Sequence, residues 1–254
     1  MPSPARPILR LVRIGWAALV APPIGLWGTA RGRQTRALRV WSGIAARAVG
    51  LEIEPEGPEP PPAALVAANH VGYLDILALG AVVPGRFVAK AEIAGWPFFG
   101  ALARWGGTVF LDRERPRDCV PWVDRLARVL ESGERVILFP EAGVSPDGRT
   151  LGAFRPMLFE ASVRSGAPVV PVALRYEHPD DPRVWAWIDE PSLWQHLRAR
   201  VLPADRIRVR VRCGEPIDPK GVGDRKALAD AAREAVARLL AEDRAPGPRA
   251  APGR

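Results

Sequence analysis

The chain has 254 residues, enough to bury a substantial core, with an ordinary 48% hydrophobic and 25% charged residues. Its net charge of +8 is not ordinary, and of its 36 basic residues all but Lys90, Lys220 and Lys226 are Arg. Cys119 and Cys213 stand apart with no second Cys or His at ligand spacing, which excludes a disulfide framework or zinc site and fits a reducing compartment.

Residues 8–28 (ILRLVRIGWAALVAPPIGLWG) form the most apolar long stretch. Arg10 and Arg13 interrupt its start, Pro22-Pro23 is expected to break it, and its uncharged part falls short of the ~20 residues a bilayer crossing needs. No small-residue cleavage site follows, which argues against a signal peptide. Arg at both ends, with Trp16 and Trp27, suits a segment lying in a membrane interface. Residues 31–50 repeat apolar positions at helical spacing (Leu38, Trp41, Ala45, Val49). The two segments read as a helical hairpin that docks on a membrane, or as a helix pair packed on the core.

A short strand and a Pro/Glu linker (EPEGPEPPP) fill residues 51–62. Residues 63–68 (AALVAA) have the uninterrupted apolar pattern of a strand buried on both faces; Asn69-His70 breaks it, Gly72 loosens the backbone, and residues 74–79 resume as a helix. A strand at 86–89 follows, then an apolar aromatic segment (93–105, broken at Pro97) that lines a channel or fills core, then a strand within GGTVFLDR (106–113). Residues 116–132 read as an amphipathic helix with Val123, Leu126, Val129 and Leu130 on one face. Residues 135–139 (RVILF) form another buried strand, running into Pro140-Glu141-Ala142-Gly143. A helix at 156–165 precedes VVPVAL (169–174), whose Pro171 suits an edge or bulge. Residues 185–188, a helix near 193–200 and the alternating IRVRVRC (207–213) suggest a smaller closing layer, before an amphipathic helix at 224–242 and a Pro/Arg/Gly-rich tail expected to be disordered. The expected organisation is docking helices over 1–50, one α/β domain over 51–243 and the tail over 244–254.

His70 and Asp75 are five residues apart, which on one helix is about 140° of rotation, so they cannot pair from mid-helix. They pair if His70 stands in the strand-to-helix loop and Asp75 in the first helical turn, where the dipole favours a carboxylate. An imidazole so held is a general base: one nitrogen faces the substrate while the other donates to the acid. The plainer alternative is an Asn-His loop with Asp75 as a helix-start residue. Glu141 likewise either contacts substrate or satisfies backbone amides, two roles that are compatible. His178 and His196 read as surface residues. Ser145, in GVSPD, lacks the second Gly of a hydrolase elbow and is no persuasive nucleophile.

Strands alternating with helices imply an α/β layered fold, with ligands expected where strands end. Asn69-His70…Asp75, Gly107-Thr-Val-Phe-Leu-Asp-Arg113, Phe139-Pro-Glu141 and Val170-Pro171-Val172 occur in that order. Over roughly residues 60–180 this set resembles the glycerophospholipid acyltransferase family, which includes 1-acylglycerol-3-phosphate O-acyltransferases. The resemblance implies a layered mixed sheet flanked by helices, with the N-terminal hairpin docking on the cytoplasmic face of the membrane. It also implies an O-acyltransferase with no cofactor: His70 is the base, Asp75 orients it, and Asn69, Arg113, Glu141, Ala142 and Gly143 contact substrate. The co-substrate is acyl-CoA or acyl-carrier protein, and the acceptor a lyso-lipid. One departure stands out. Ala142, Gly143, Val144 and Ser145 follow Glu141 where the family usually places Gly, Thr and often a basic residue. That weakens lysophosphatidic acid as the acceptor and leaves lyso-ornithine lipid, or non-catalytic lipid binding, as alternatives. The basic surface with nine Trp could also suit nucleic acid, but no recognised nucleic-acid module is present and none is expected as a partner.

Overall fold

The computed structural model describes residues 5–111, 119–141, 143, 150–178, 182–186 and 192–242. Seven strands among them form one mixed sheet: β1 (Leu51–Glu56), β2 (Leu65–Ala68), β3 (Arg86–Lys90), β4 (Val109–Leu111), β5 (Val136–Leu138), β6 (Val169–Glu177) and β7 (Ile207–Cys213), in the order β1-β7-β6-β2-β5-β3-β4. Every neighbouring pair is parallel except β6–β7. The C-terminal ends of β2, β3, β5 and β6 therefore emerge at one edge of the sheet, where open α/β sheets place their ligands.

All four residues of β2 are buried, as expected for a parallel strand covered on both faces. Val66 and Ala68 pack on one side with α2 (Gln34–Val49) and α3 (Leu74–Val82), through Leu38, Ala46, Leu74 and Leu79. Leu65 and Ala67 pack on the other with α5 (Cys119–Glu131) and α9 (Arg225–Glu242), through Val123, Leu126, Leu130, Leu228 and Val236. The period of two along the strand thus divides one short segment between two cores. Three further helices, α4 (Phe99–Trp105), α6 (Glu160–Ser165) and α7 (Leu193–His196), and a short α8 (Pro219–Val222) complete the layers.

Three expectations are corrected. The N-terminal stretch is not broken at Pro22-Pro23: α1 runs unbroken from Ala5 to Ala30 through both prolines. Proline's fixed φ is itself helical, and the cost is confined to lost N–H donors and local crowding. Within α1, residues 6–30 are long and apolar enough to cross a membrane by length and composition, with 22% of the qualifying window buried against the rest of the chain. Residues 207–213 do not belong to a separate closing layer. As β7 they lie inside the sheet, between β1 and β6, with Ile207, Val209, Val211 and Cys213 buried in the core. Nor is Pro171 on an edge strand, because β6 sits between β2 and β7. Its position is still a bulge: β6 pairs Val172 with Cys213 but Val169 with Ile217, leaving one extra residue on the partner chain. Pro171 needs no ladder donor there, and its carbonyl accepts from the Gly214 N–H at 2.9 Å.

Beyond Ala68, paired with Val172, the backbone of β2 leaves the sheet. The Asn69 side chain takes over the ladder: its Nδ2 donates to the Leu174 carbonyl at 3.0 Å, and the Leu174 N–H donates to its Oδ1 at 2.7 Å. This lets the chain turn toward α3 without orphaning two buried backbone groups of β6. Asn69→Ala leaves both unpaired, a cost of about 2–6 kcal/mol at ~1–3 kcal/mol per group. The expected outcome is a melting temperature lowered by about 5–15 °C; an unchanged melting curve would show that the amide bridge contributes nothing.

Candidate active site

His70 follows the end of β2, and three elements hold it. Its N–H donates to Glu141 Oε1 at 3.1 Å. Its ring stacks on Phe139, just past β5, with centroids 4.1 Å apart and planes 15° from parallel. Its Nδ1 lies 2.8 Å from Asp75 Oδ2. Asp75 is the second residue of α3, and the intervening turn is tight enough that its Oδ2 also accepts the N–H groups of Val71 (2.6 Å) and Gly72 (2.9 Å). Its Oδ1 accepts the hydroxyl of Tyr176, on β6, at 2.8 Å. Four donors on one carboxylate match an acceptor-only group and fix its orientation. A carboxylate at Nδ1 selects the Nδ1–H tautomer, leaving the Nε2 lone pair on the opposite edge of the ring.

Asp75 is wholly buried, while the His70 side chain is 25% exposed and lines a cavity of about 290 Å³. The cavity is walled by Trp41, Phe87, Phe99 and Leu102 and carries few polar groups beside His70: Lys90, Thr108 and Glu141 are among them. A base therefore faces a largely apolar space that accepts a hydrocarbon chain. Ile76 and Phe99 line it while remaining exposed, so its wall continues into an apolar surface.

Burial pushes the Tyr176 hydroxyl well above its ordinary pKa, reinforced by the adjacent Asp75, so it remains a proton donor to that carboxylate. Burial also raises the Glu141 carboxyl, opposed by the amides of Gly152 and His70 that bond to it. The Gly152 N–H reaches Glu141 Oε2 at 2.7 Å, so each oxygen of this side chain is engaged by a backbone donor. Glu141 thus clamps the His70 backbone to the loop after β5 while one face borders the cavity. The Cys213 thiol, pushed by burial up to about 11, is a poor nucleophile near neutrality.

The structure places His70, Glu141 and Gly143 on one cavity, with Asp75 behind the His70 ring. Asn69 is a correction: expected to contact substrate, it is fully buried with both ends of its amide on Leu174, and acts from beneath His70. Arg113 and Ala142 lie outside the described residues, as does the tail over 244–254. His196 is also corrected from surface to core, fully buried with Nδ1 3.0 Å from the Tyr73 hydroxyl. The sequence reading assigns no role to Tyr176, Phe139, Lys90, Thr108 or Gly152. Only Tyr176 carried a usable signal, as an inward-facing position on the strand of the fourth motif.

The Acyltransferase family model matches residues 52–175. A 1-acyl-sn-glycerol-3-phosphate acyltransferase of Neisseria meningitidis is 37% identical over 205 residues, which cover 79% of this chain and 78% of that protein. A lyso-ornithine lipid O-acyltransferase of Pseudomonas aeruginosa is 34% identical over 253 residues, or 95% and 96% of the two chains. The crystal structure of the 1-acyl-sn-glycerophosphate (LPA) acyltransferase PlsC from Thermotoga maritima matches with a TM-score of 0.63, covering 94% of this chain and 99% of that one; at 24% identity this likeness bears on the fold. A matching family region and relatives aligned over most of their length agree: the chain belongs to the acyltransferase family and is an acyltransferase.

Proposed function

We propose that this enzyme moves a fatty acyl group from a thioester, acyl-CoA or acyl-carrier protein, to the free hydroxyl of a lyso-lipid such as 1-acylglycerol-3-phosphate. The observation that carries this reading is the His70 ring, tied through Nδ1 to Asp75 and set in the wall of an apolar cavity. In this reading Nε2 takes the proton of the lipid hydroxyl as its oxygen attacks the thioester carbonyl carbon. The resulting imidazolium is stabilised by Asp75. As the tetrahedral intermediate collapses, the C–S bond breaks and the leaving thiolate takes the proton from Nε2, giving acylated lipid and free thiol. Positioning a pre-activated thioester beside the hydroxyl supplies much of the remaining acceleration. In this reading Glu141 and Gly143, which line the cavity, belong to the acceptor side, to which the family resemblance also assigns Arg113 and Ala142.

The enzyme works at the cytoplasmic face of the membrane in this account. Its support is α1, which leaves Ile8, Leu9, Val12, Trp16, Leu19 and Leu26 exposed on a helix carrying Arg6, Arg10 and Arg13.

A second reading has its own support. The Pseudomonas relative named for lyso-ornithine lipid aligns over nearly the whole chain. The positions directly after Glu141 (Ala142, Gly143, Val144) also lack the hydroxyl and cation that the family usually carries there. An acceptor without a phosphate, a lyso-ornithine lipid, fits that loop.

Thiol release from a long-chain acyl-CoA, measured with each lyso-lipid in turn, tests both readings. His70→Ala should lower kcat by at least about 10²-fold, the lower range for loss of a general base; full activity in that variant would overturn the assignment. Asp75→Asn places an amide N–H among donors already aimed at the carboxylate. It should cost about 10²-fold in kcat with the Michaelis constant for acyl-CoA little changed. A loss confined to that Michaelis constant would instead make Asp75 a binding residue.

A further inference from the structure

The turn that carries the site, 69–73, contains a glycine and no regular structure of its own, yet catalysis requires it to hold one geometry. Its inner side is bound to Asp75 through the Val71 and Gly72 amides. Tyr73 closes the turn. It stands between Gly72, whose N–H grips Asp75, and Leu74, where α3 begins.

The Tyr73 hydroxyl reaches His196 Nδ1 at 3.0 Å, and the two rings meet edge to face, with centroids 5.5 Å apart at 88°. His196 ends α7 and is fully buried. The chain beyond it continues as a π-helical turn over Leu197–Val201, an irregularity found more often at functional sites than elsewhere. The far end of this segment is held as well. The Arg10 guanidinium of α1 donates to the carbonyls of Val201, Leu202 (3.4 Å), Ala204 (2.9 Å) and Asp205 (3.2 Å), and Arg6 pairs with Asp205 at 2.9 Å. A continuous chain of contacts thus runs from α1 through the 193–205 segment to the turn between His70 and Asp75.

We propose that Tyr73 and His196 are positioning residues for the acyl transfer: their partly buried contact anchors the turn that aligns the His70–Asp75 pair. The inference rests on the reading of His70 as base. Neither residue touches the reacting atoms. Both act by limiting how far the Val71 and Gly72 amides can drift from Asp75.

The test is steady-state acyl transfer from acyl-CoA by the full chain. The variants are Tyr73→Phe, which removes the hydroxyl, His196→Phe, which removes Nδ1, and His196→Asn, whose amide sits where Nδ1 does. The two Phe variants should lose about 10- to 100-fold in kcat, the scale of an ångström-level misplacement, with the Michaelis constant for acyl-CoA within about twofold of wild type. His196→Asn should recover most of that loss. In a His70→Ala background, Tyr73→Phe should have almost no further effect, since residues acting as a unit are not additive. Wild-type kcat in both Phe variants overturns the proposal, as does equal loss in His196→Asn and His196→Phe, or a loss that multiplies with that of His70→Ala. Retained activity in His70→Ala alone would instead remove the base assignment.

Discussion

Asp75 is the point on which this structure turns. A carboxylate buried beyond solvent must be compensated by donors, because a bare buried charge costs several kcal/mol. Here the imidazole of His70, the amides of Val71 and Gly72 and the hydroxyl of Tyr176 converge on it. Three come from the five residues that precede it and one from β6, the strand beside β2 in the sheet. Placement at the start of α3 adds the helix dipole to this field. The same set of bonds that makes the charge tolerable also orients the base.

The rest of the fold serves that arrangement. Parallel strands bring the ends of β2, β3, β5 and β6 to one edge, so that His70, Lys90, Phe139 and Tyr176 meet although they are distant in sequence. Asn69 and Glu141 hold the backbone on either side of this meeting, one by extending a ladder and the other by clamping two amides. The apolar cavity then sits against the partly exposed His70 ring. Around it, α1 is not an independent appendage: Trp41 Nε1 donates to the Ala17 carbonyl at 3.0 Å, and Arg10 reaches the segment beyond α7.

How much of this the sequence disclosed follows from distance along the chain. The His70–Asp75 pair was legible because strand, loop and helix fall within a dozen residues, and helical geometry restricts where two such groups can meet. The layered α/β class was legible because buried parallel strands write themselves as short apolar runs. Tyr176 as a partner of Asp75 was not, since 101 residues separate them. Pro171 was readable as an edge or bulge residue, but not as which of the two, since β6 proves internal and the extra residue sits on the partner chain. His196 misled because its polar neighbours in sequence, Gln195 and Arg198, say nothing of the one side that faces Tyr73. The double proline was overrated as a breaker, because packing of α1 on α2 and Arg10 stabilises a helix that propensity alone would end.

The central claim is that Asp75 fixes His70 as the Nδ1–H tautomer and leaves Nε2 free to accept a proton. With three histidines in the chain, ¹⁵N-histidine labelling and long-range ¹⁵N–¹H correlation in a detergent micelle resolve the rings, variants at His178 and His196 supplying assignments. For the neutral His70 ring, the account predicts a protonated, pyrrole-type Nδ1 and an unprotonated, pyridine-type Nε2. The reverse pattern, or equal populations of the two tautomers, would contradict it.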